Sequence, residues 1–176
     1  ASPMFQLGFK ESRHGGKEER ISEKDMVCTE IILKSIASKA SPIYNKLLDL
    51  NLINTASFDY EYMEMPGMSC AIFSGESNNP EKTAEVIKNE IEKLHSTGID
   101  EETFDWARRA VYGENIGGLN SIRGIANNLL DFSFSGRNLF KYIDSISQVT
   151  LGDVNERLKS QFNNDYSALS VVKPRE

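Results

Sequence analysis

Long hydrophobic runs are missing from this sequence: its apolar stretches last only a few residues, as in "IIL" at 31–33, far short of the roughly 20 that a helix needs to cross a bilayer. No membrane partner is expected. Nor does a charged-then-apolar leader open the chain, so nothing points to export. Cysteine is scarce. Cys28 falls in a helical pattern and Cys70 in a strand pattern, and both read as reduced core residues rather than a disulfide, which fits a cytoplasmic protein. An excess of positive charge is also lacking. With a formal net charge of −6 and a pI near 5.1, a phosphate backbone is excluded as partner, because nucleic-acid binding draws on clustered Lys and Arg to release counterions.

Histidine is nearly absent as well. His14 sits in a Gly-rich loop and His95 near the end of an acidic helix, and both are expected to be exposed. Catalytic zinc usually needs three protein ligands at close range, and neither H-x-x-E-H nor H-E-x-x-H occurs. "HGGK" at 14–17 is not followed by any G-x-S-x-G elbow, so Gly15 and Gly16 are read as a turn between strand and helix. "GENIGG" at 113–118 is too irregular to cradle a phosphate.

What is present describes a soluble, cored domain: 39% hydrophobic and 26% charged residues in 176, enough for one good-sized domain over 1–176. Residue 1 is Ala, which suggests an excised piece of a longer protein. From Glu76 to Asp105 there are nine acids against three lysines, the pattern of a solvated helical face.

The elements follow from periodicity. Phe5, Leu7 and Phe9 alternate with Gln6, Gly8 and Lys10, a half-buried strand. Ser22 and Asp25 cap a helix carrying Met26, Thr29, Leu33, Ile36 and Ala37, and Ser41-Pro42 opens a short second helix that stops at Asn51. Phe58, Tyr60 and Tyr62 alternate with Asp59 and Glu61, and Pro66-Gly67 turns that strand into "SCAIFSG". Asn79 caps a helix with Ala84, Ile87, Ile91 and Leu94, ended by Gly98; Asp100 caps the next, through Phe104, Ala107 and Val111. Further stripes are Ile122, Ile125, Ala126 and Leu129, then Leu139, Phe140, Ile143 and Ile146. The Thr150–Asp153 capping box opens the last helix, with Val154, Leu158 and Phe162, before "YSALSVV" returns to strand. Strands spaced this irregularly do not make repeated βαβ units. The predicted fold is therefore α+β, a mostly antiparallel sheet of about four strands with helices packed on one face.

No catalytic constellation emerges. The pairs Glu101/Glu102 and Asp59/Glu61 sit where water is expected, without the burial that tunes a general acid or base. Arg108 and Arg109 beside Trp106 read as a solvated helix surface with partial core burial of the tryptophan.

The succession "FQLGFKE" (5–11), "SPIYNKLLDLNLI" (41–53), "FSGESNNPEKTAEVI" (73–87), "GIDEETFDWARRAVYG" (98–113), "ISQVTLGDV" (146–154) and "SALSVV" resembles the C-terminal half of bacterial members of the insulinase, pitrilysin and mitochondrial processing peptidase family, notably the YmfH-like group of zinc proteases. The resemblance implies homologous α+β units that close like a clamshell around a peptide. It places zinc and the inverted H-x-x-E-H motif in an N-terminal unit outside this chain. An arginine near the end of the short helix and a tyrosine at the start of the next strand assist catalysis in active members. Those positions fall at Leu48 and Asn54, which lack the charge and phenol that would stabilise a tetrahedral intermediate.

What remains for Leu48 and Asn54 is packing and peptide-chamber walls. The expectation is a non-catalytic C-terminal domain that binds no metal or cofactor itself and cuts no peptide alone. Its implied partners are the catalytic half of its parent, a homologous partner subunit, the peptide, and a second copy through apolar surface left uncovered. The alternative is an interaction or scaffold module of an inactive family member.

Overall fold

In the computed structural model, which describes residues 2–12 and 20–174, the Phe5, Leu7, Phe9 alternation becomes strand β1 (Met4–Lys10), and those three side chains are the ones it buries. Then follow α1 (Glu23–Ala37), α2 (Pro42–Asp49), β2 (Asp59–Met65), β3 (Met68–Glu76), α3 (Pro80–Thr97), α4 (Glu101–Gly118), α5 (Ile122–Phe134), α6 (Leu139–Gln148) and α7 (Leu151–Gln161). A 3-10 turn (Asn164–Tyr166) leads into β4 (Ser167–Val172). The strands form one sheet in the order β2-β3-β1-β4, antiparallel at every pairing. This is the α+β arrangement read from the sequence. His14, Gly15 and Gly16 lie outside the described residues.

Each helix begins where a short polar side chain can take up a free backbone N–H. Ser22, Ser41, Asn79, Asp100, Ser121, Asn138 and Thr150 all accept from the first turn that follows them, each worth about 1 kcal/mol. Thr150 and Asp153 form the full reciprocal capping box. At the hairpin, Gly67 has φ 74° behind Pro66, the left-handed position that a type II turn requires.

The core lies between the sheet and its helical layer. Phe9 meets Phe73 of β3 edge-on with ring centres 6.0 Å apart, and Phe162 at the end of α7 lies 5.6 Å from Phe9. β1, β3 and α7 are thereby joined by one buried aromatic cluster; truncating such a ring to Ala costs roughly 3–5 kcal/mol. α1 is buried around most of its circumference, including Val27, Ile31, Ile32 and Ile36.

Several expectations fail. Cys70 is only half-buried on the uncovered face of β3, although both cysteines are free. No residue of α5 is buried, so the Ile122–Leu129 stripe faces water, with Ile122 89% exposed. Phe140 also points outward while Tyr142, unassigned in the sequence reading, enters the core. Trp106 is exposed, and it is Phe104 that enters the core and carries the Arg108 guanidinium, 5.0 Å from its ring centre. His95 is half-buried rather than exposed, and its Nε2 has no hydrogen-bond partner.

Candidate functional site

The segment singled out by the sequence is built from its two ends. The Ser41 hydroxyl donates to the Ile36 carbonyl (2.7 Å) and accepts from Tyr44 N–H (3.1 Å), so one side chain ends α1 and starts α2. Pro42 occupies the first turn, where its missing N–H costs nothing. At the other end Asn51 N–H donates to the Leu48 carbonyl (2.8 Å) and Leu52 N–H to the Leu47 carbonyl (2.9 Å). These two bonds make a Schellman motif, with Asn51 at the left-handed position, φ 52°. Leu47 and Leu52 are both in the core, which fixes the direction in which the chain leaves the helix.

Leu48 is half-buried in the last turn of α2 and carries no polar atom. Asn54 lies in the connection to β2, which starts only at Asp59. Its amide is committed: Nδ2 donates to Glu76 Oε2 (2.9 Å) and Oδ1 accepts from Ala56 N–H (2.9 Å). Ser57 Oγ in turn accepts from Glu76 N–H (3.0 Å). Asn54 thus ties the connection to the end of β3, and neither it nor Leu48 offers a charge or acidic proton to a substrate.

The strongest polar clusters lie elsewhere, and sequence reading missed them. Arg157 of α7 is fully buried: it donates to the Glu11 carboxylate, to Thr29 Oγ1 (2.8 Å) and to Gln161 Oε1 (2.8 Å), and Gln161 Nε2 donates to the Phe9 carbonyl (2.7 Å). Glu64 of β2 takes a bidentate contact from Arg137 (2.8 and 3.2 Å) and a third bond from Arg20 (3.0 Å). Both networks are saturated with internal partners and join distant elements, so their role is to hold the layers together. The signals were there. Glu11 continues the inward parity of Phe5, Leu7 and Phe9, and Arg157 falls beside Val154 and Leu158 on the buried side of α7.

A third group carries a perturbed acid. Burial out of water pushes the Glu30 carboxyl up to about 7; the Tyr142 hydroxyl, which donates to it, pulls partly back, and Glu114 adds to the rise. Burial likewise pushes the Cys28 thiol up to about 12, so it is no nucleophile. Glu101 and Glu102 are exposed in the first turn of α4, and Asp59 and Glu61 are exposed on β2. Among the described residues no three His, Cys, Asp or Glu side chains come together as metal ligands.

The family model described as the peptidase M16 inactive domain matches residues 15–111. The chain belongs to the peptidase M16 inactive domain family. This M16 domain is 26% identical over 173 residues to the uncharacterized zinc protease YmfH of Bacillus subtilis strain 168, covering 98% of this chain and 40% of that protein. The chain therefore spans about two fifths of the length of that curated relative. Among solved structures it is similar to an M16-like candidate peptidase from Alicyclobacillus acidocaldarius, at TM-score 0.87 and 21% identity, over 99% of this chain and 41% of the other. It also resembles the inactive peptidase domain of a candidate zinc protease from Bordetella parapertussis, at TM-score 0.83 and 15% identity, over 99% and 92% of the two chains. The four-stranded antiparallel fold is thus shared, and the family model that matches describes the domain as inactive.

Proposed function

We propose that this M16 domain is the closing wall of a two-part zinc peptidase: it packs against the zinc-bearing half of its parent and encloses an extended peptide there, leaving the chemistry to that half. The observation that carries this reading is the one-sided sheet. Helices clothe the face bearing Phe5, Leu7, Phe9, Ala71 and Phe73, while the opposite face leaves Met4, Met63, Met65, Met68 and Val172 exposed. Methionine side chains are flexible and polarisable and adapt to varied sequences, which suits a wall touching many peptides. Excluding water and orienting the substrate are contributions that need no ionisable group. The free Cys28 and Cys70 support a reducing, cytoplasmic setting for the parent.

The test uses the chain alone and recombined with the remainder of its parent. Incubated with zinc and an unstructured peptide, the 176-residue chain by itself gives no chelator-sensitive cleavage. Added to the separately expressed remainder, it restores cleavage, and Met63→Lys with Met65→Lys weakens that restoration. Cleavage by the chain alone, or full activity of the remainder without it, refutes the reading.

A further inference from the structure

Four aromatic residues from separate parts of the chain line one notch on the helix side of β2: Tyr44 of α2, Phe58 just before β2, Tyr60 of β2 and Trp106 of α4. Its volume, about 400 Å³, lies within the roughly 300–1,000 Å³ usual for small-molecule sites. Tyr44 is buried and meets Phe58 edge-on with ring centres 5.7 Å apart, so this part of the wall is held by the core. Trp106 is 42% exposed and stands open to an incoming ring.

Most polar groups around the rings are already committed. Lys34 lies against the Tyr60 hydroxyl and is paired with Glu114. Asp59 accepts from the Tyr60 N–H (2.8 Å) and has the parity of Glu61 and Met63, so its side chain belongs to the opposite face of β2. Ser41 takes up the Ile36 and Ser38 carbonyls at the end of α1 through its hydroxyl and its N–H. Two groups are uncommitted. Ser38 is only 8% exposed, yet its hydroxyl has no hydrogen-bond partner, and a buried polar group left unpaired is costly. Lys39, also in the lining, is exposed and has no ion pair among the described residues.

We infer that this notch is a binding site for a small aromatic carboxylate whose ring carries a polar hydrogen, of the phenolic or indolic acid class. The ring lies against Trp106 and Tyr60, where offset or edge-on contacts add to the gain from burial. Rotation about χ1 alone turns the Ser38 hydroxyl towards the ring's O–H or N–H, and a hydroxyl can accept as well as donate. The carboxylate pairs with the Lys39 ammonium at the solvent side. Charge and hydrogen bonding together select this occupant. Aromatic walls also suit a quaternary ammonium, but the two lysines in the lining repel one, and it has no hydrogen to give Ser38. The site uses neither zinc nor the methionine face, so it stands independently of the wall reading.

Trp106 is the sole tryptophan, so its emission reports on the notch. The probe is 4-hydroxyphenylacetate, added to the 176-residue chain. Saturable change in Trp106 emission is expected, with a Kd below about 1 mM. Phenylacetate, which lacks the ring hydroxyl, should bind about tenfold more weakly. Ser38→Ala should weaken 4-hydroxyphenylacetate about tenfold while leaving phenylacetate unchanged, a pattern that a merely structural role for Ser38 does not produce. Lys39→Gln should cost about threefold and remove the salt dependence. Trp106→Ala, followed by saturation-transfer NMR of the probe, should abolish the transfer, with circular dichroism showing that the variant remains folded. Met63→Lys, on the other face of β2, should leave binding unchanged.

The absence of saturable binding up to several times that concentration overturns the inference. So does choline binding at least as tightly as the carboxylate, equal affinity for phenylacetate and 4-hydroxyphenylacetate, or equal losses for both in Ser38→Ala. Restoration of cleavage by the recombined parent does not depend on any of these results, so the failure of this site leaves the wall reading standing.

Discussion

Arg157 and Glu11, separated by most of the chain, form an ion pair with side-chain exposures of 1% and 0%. The pair joins α7 to the end of β1 in the layer where sheet and helices meet. Desolvating two charges offsets much of their attraction, so the pair itself contributes little net stability, but one partner without the other is a buried, uncompensated charge. Arg157→Met or Glu11→Leu alone should therefore lower unfolding free energy by roughly 3–5 kcal/mol. The double variant should recover a large part of that loss. Urea unfolding of all four proteins checks it, and strictly additive losses would contradict the pairing.

Glu30 makes stability fall as pH rises. Its folded-state pKa, about 7, lies above the ordinary 4.5, so between those values the folded state holds a proton that the unfolded chain releases. The stabilisation is complete below about 4.5 and lost by about 7, an effect on the order of 1–3 kcal/mol. Asp153 acts oppositely: Lys24 and the Thr150 cap hold its carboxyl down at about 2, so its contribution is present above 3.8 and lost as pH falls towards 2. In thermal melts across pH, Glu30→Gln should flatten the slope between 4.5 and 7 and leave the acid limb intact.

Asn51 is held at φ 52° by the two bonds that close α2. Glycine adopts that conformation without a Cβ penalty, whereas a β-branched residue does not. Asn51→Gly should be neutral or stabilising by a few tenths of a kcal/mol, and Asn51→Val should cost about 1–2 kcal/mol. Denaturant midpoints of the two variants should move apart; a common shift would mean the Schellman geometry is not what holds Asn51.

Ile122 and Phe134 stand at the two ends of α5, 89% and 82% exposed, with Leu130 and Phe140 also in water. Large apolar side chains gathered on one exposed helix tend to be covered by another surface. The isolated chain should self-associate as concentration rises in sedimentation, and Ile122→Glu with Phe134→Glu should return it to monomer. A monomer at every concentration would show that this face has no affinity for itself.

Much of the fold was legible because the signals are local. Ser41-Pro42 and Thr150–Asp153 mark helix starts through hydrogen bonds made within one turn, and the Phe5–Leu7–Phe9 alternation marks a strand whatever it packs against. The candidate positions Leu48 and Asn54 were legible only as a departure from a family pattern. Their actual partners, above all Glu76 beside Asn54, depend on where β3 ends in space. The notch that Ser38, Tyr60 and Trp106 line was invisible for the same reason, because these residues come from α1's end, β2 and α4.

By itself the sequence determined where most helices and strands lie and that the sheet is antiparallel. Only the tertiary structure decided which apolar stripes are core. The stripes of α5 and α6 look alike along the chain, yet α6 buries Leu139, Tyr142, Ile143 and Ile146 while α5 buries nothing. The reason is physical: periodicity fixes which residues share a helix face, but burial requires a second surface opposite that face, and that surface comes from elements remote in the chain.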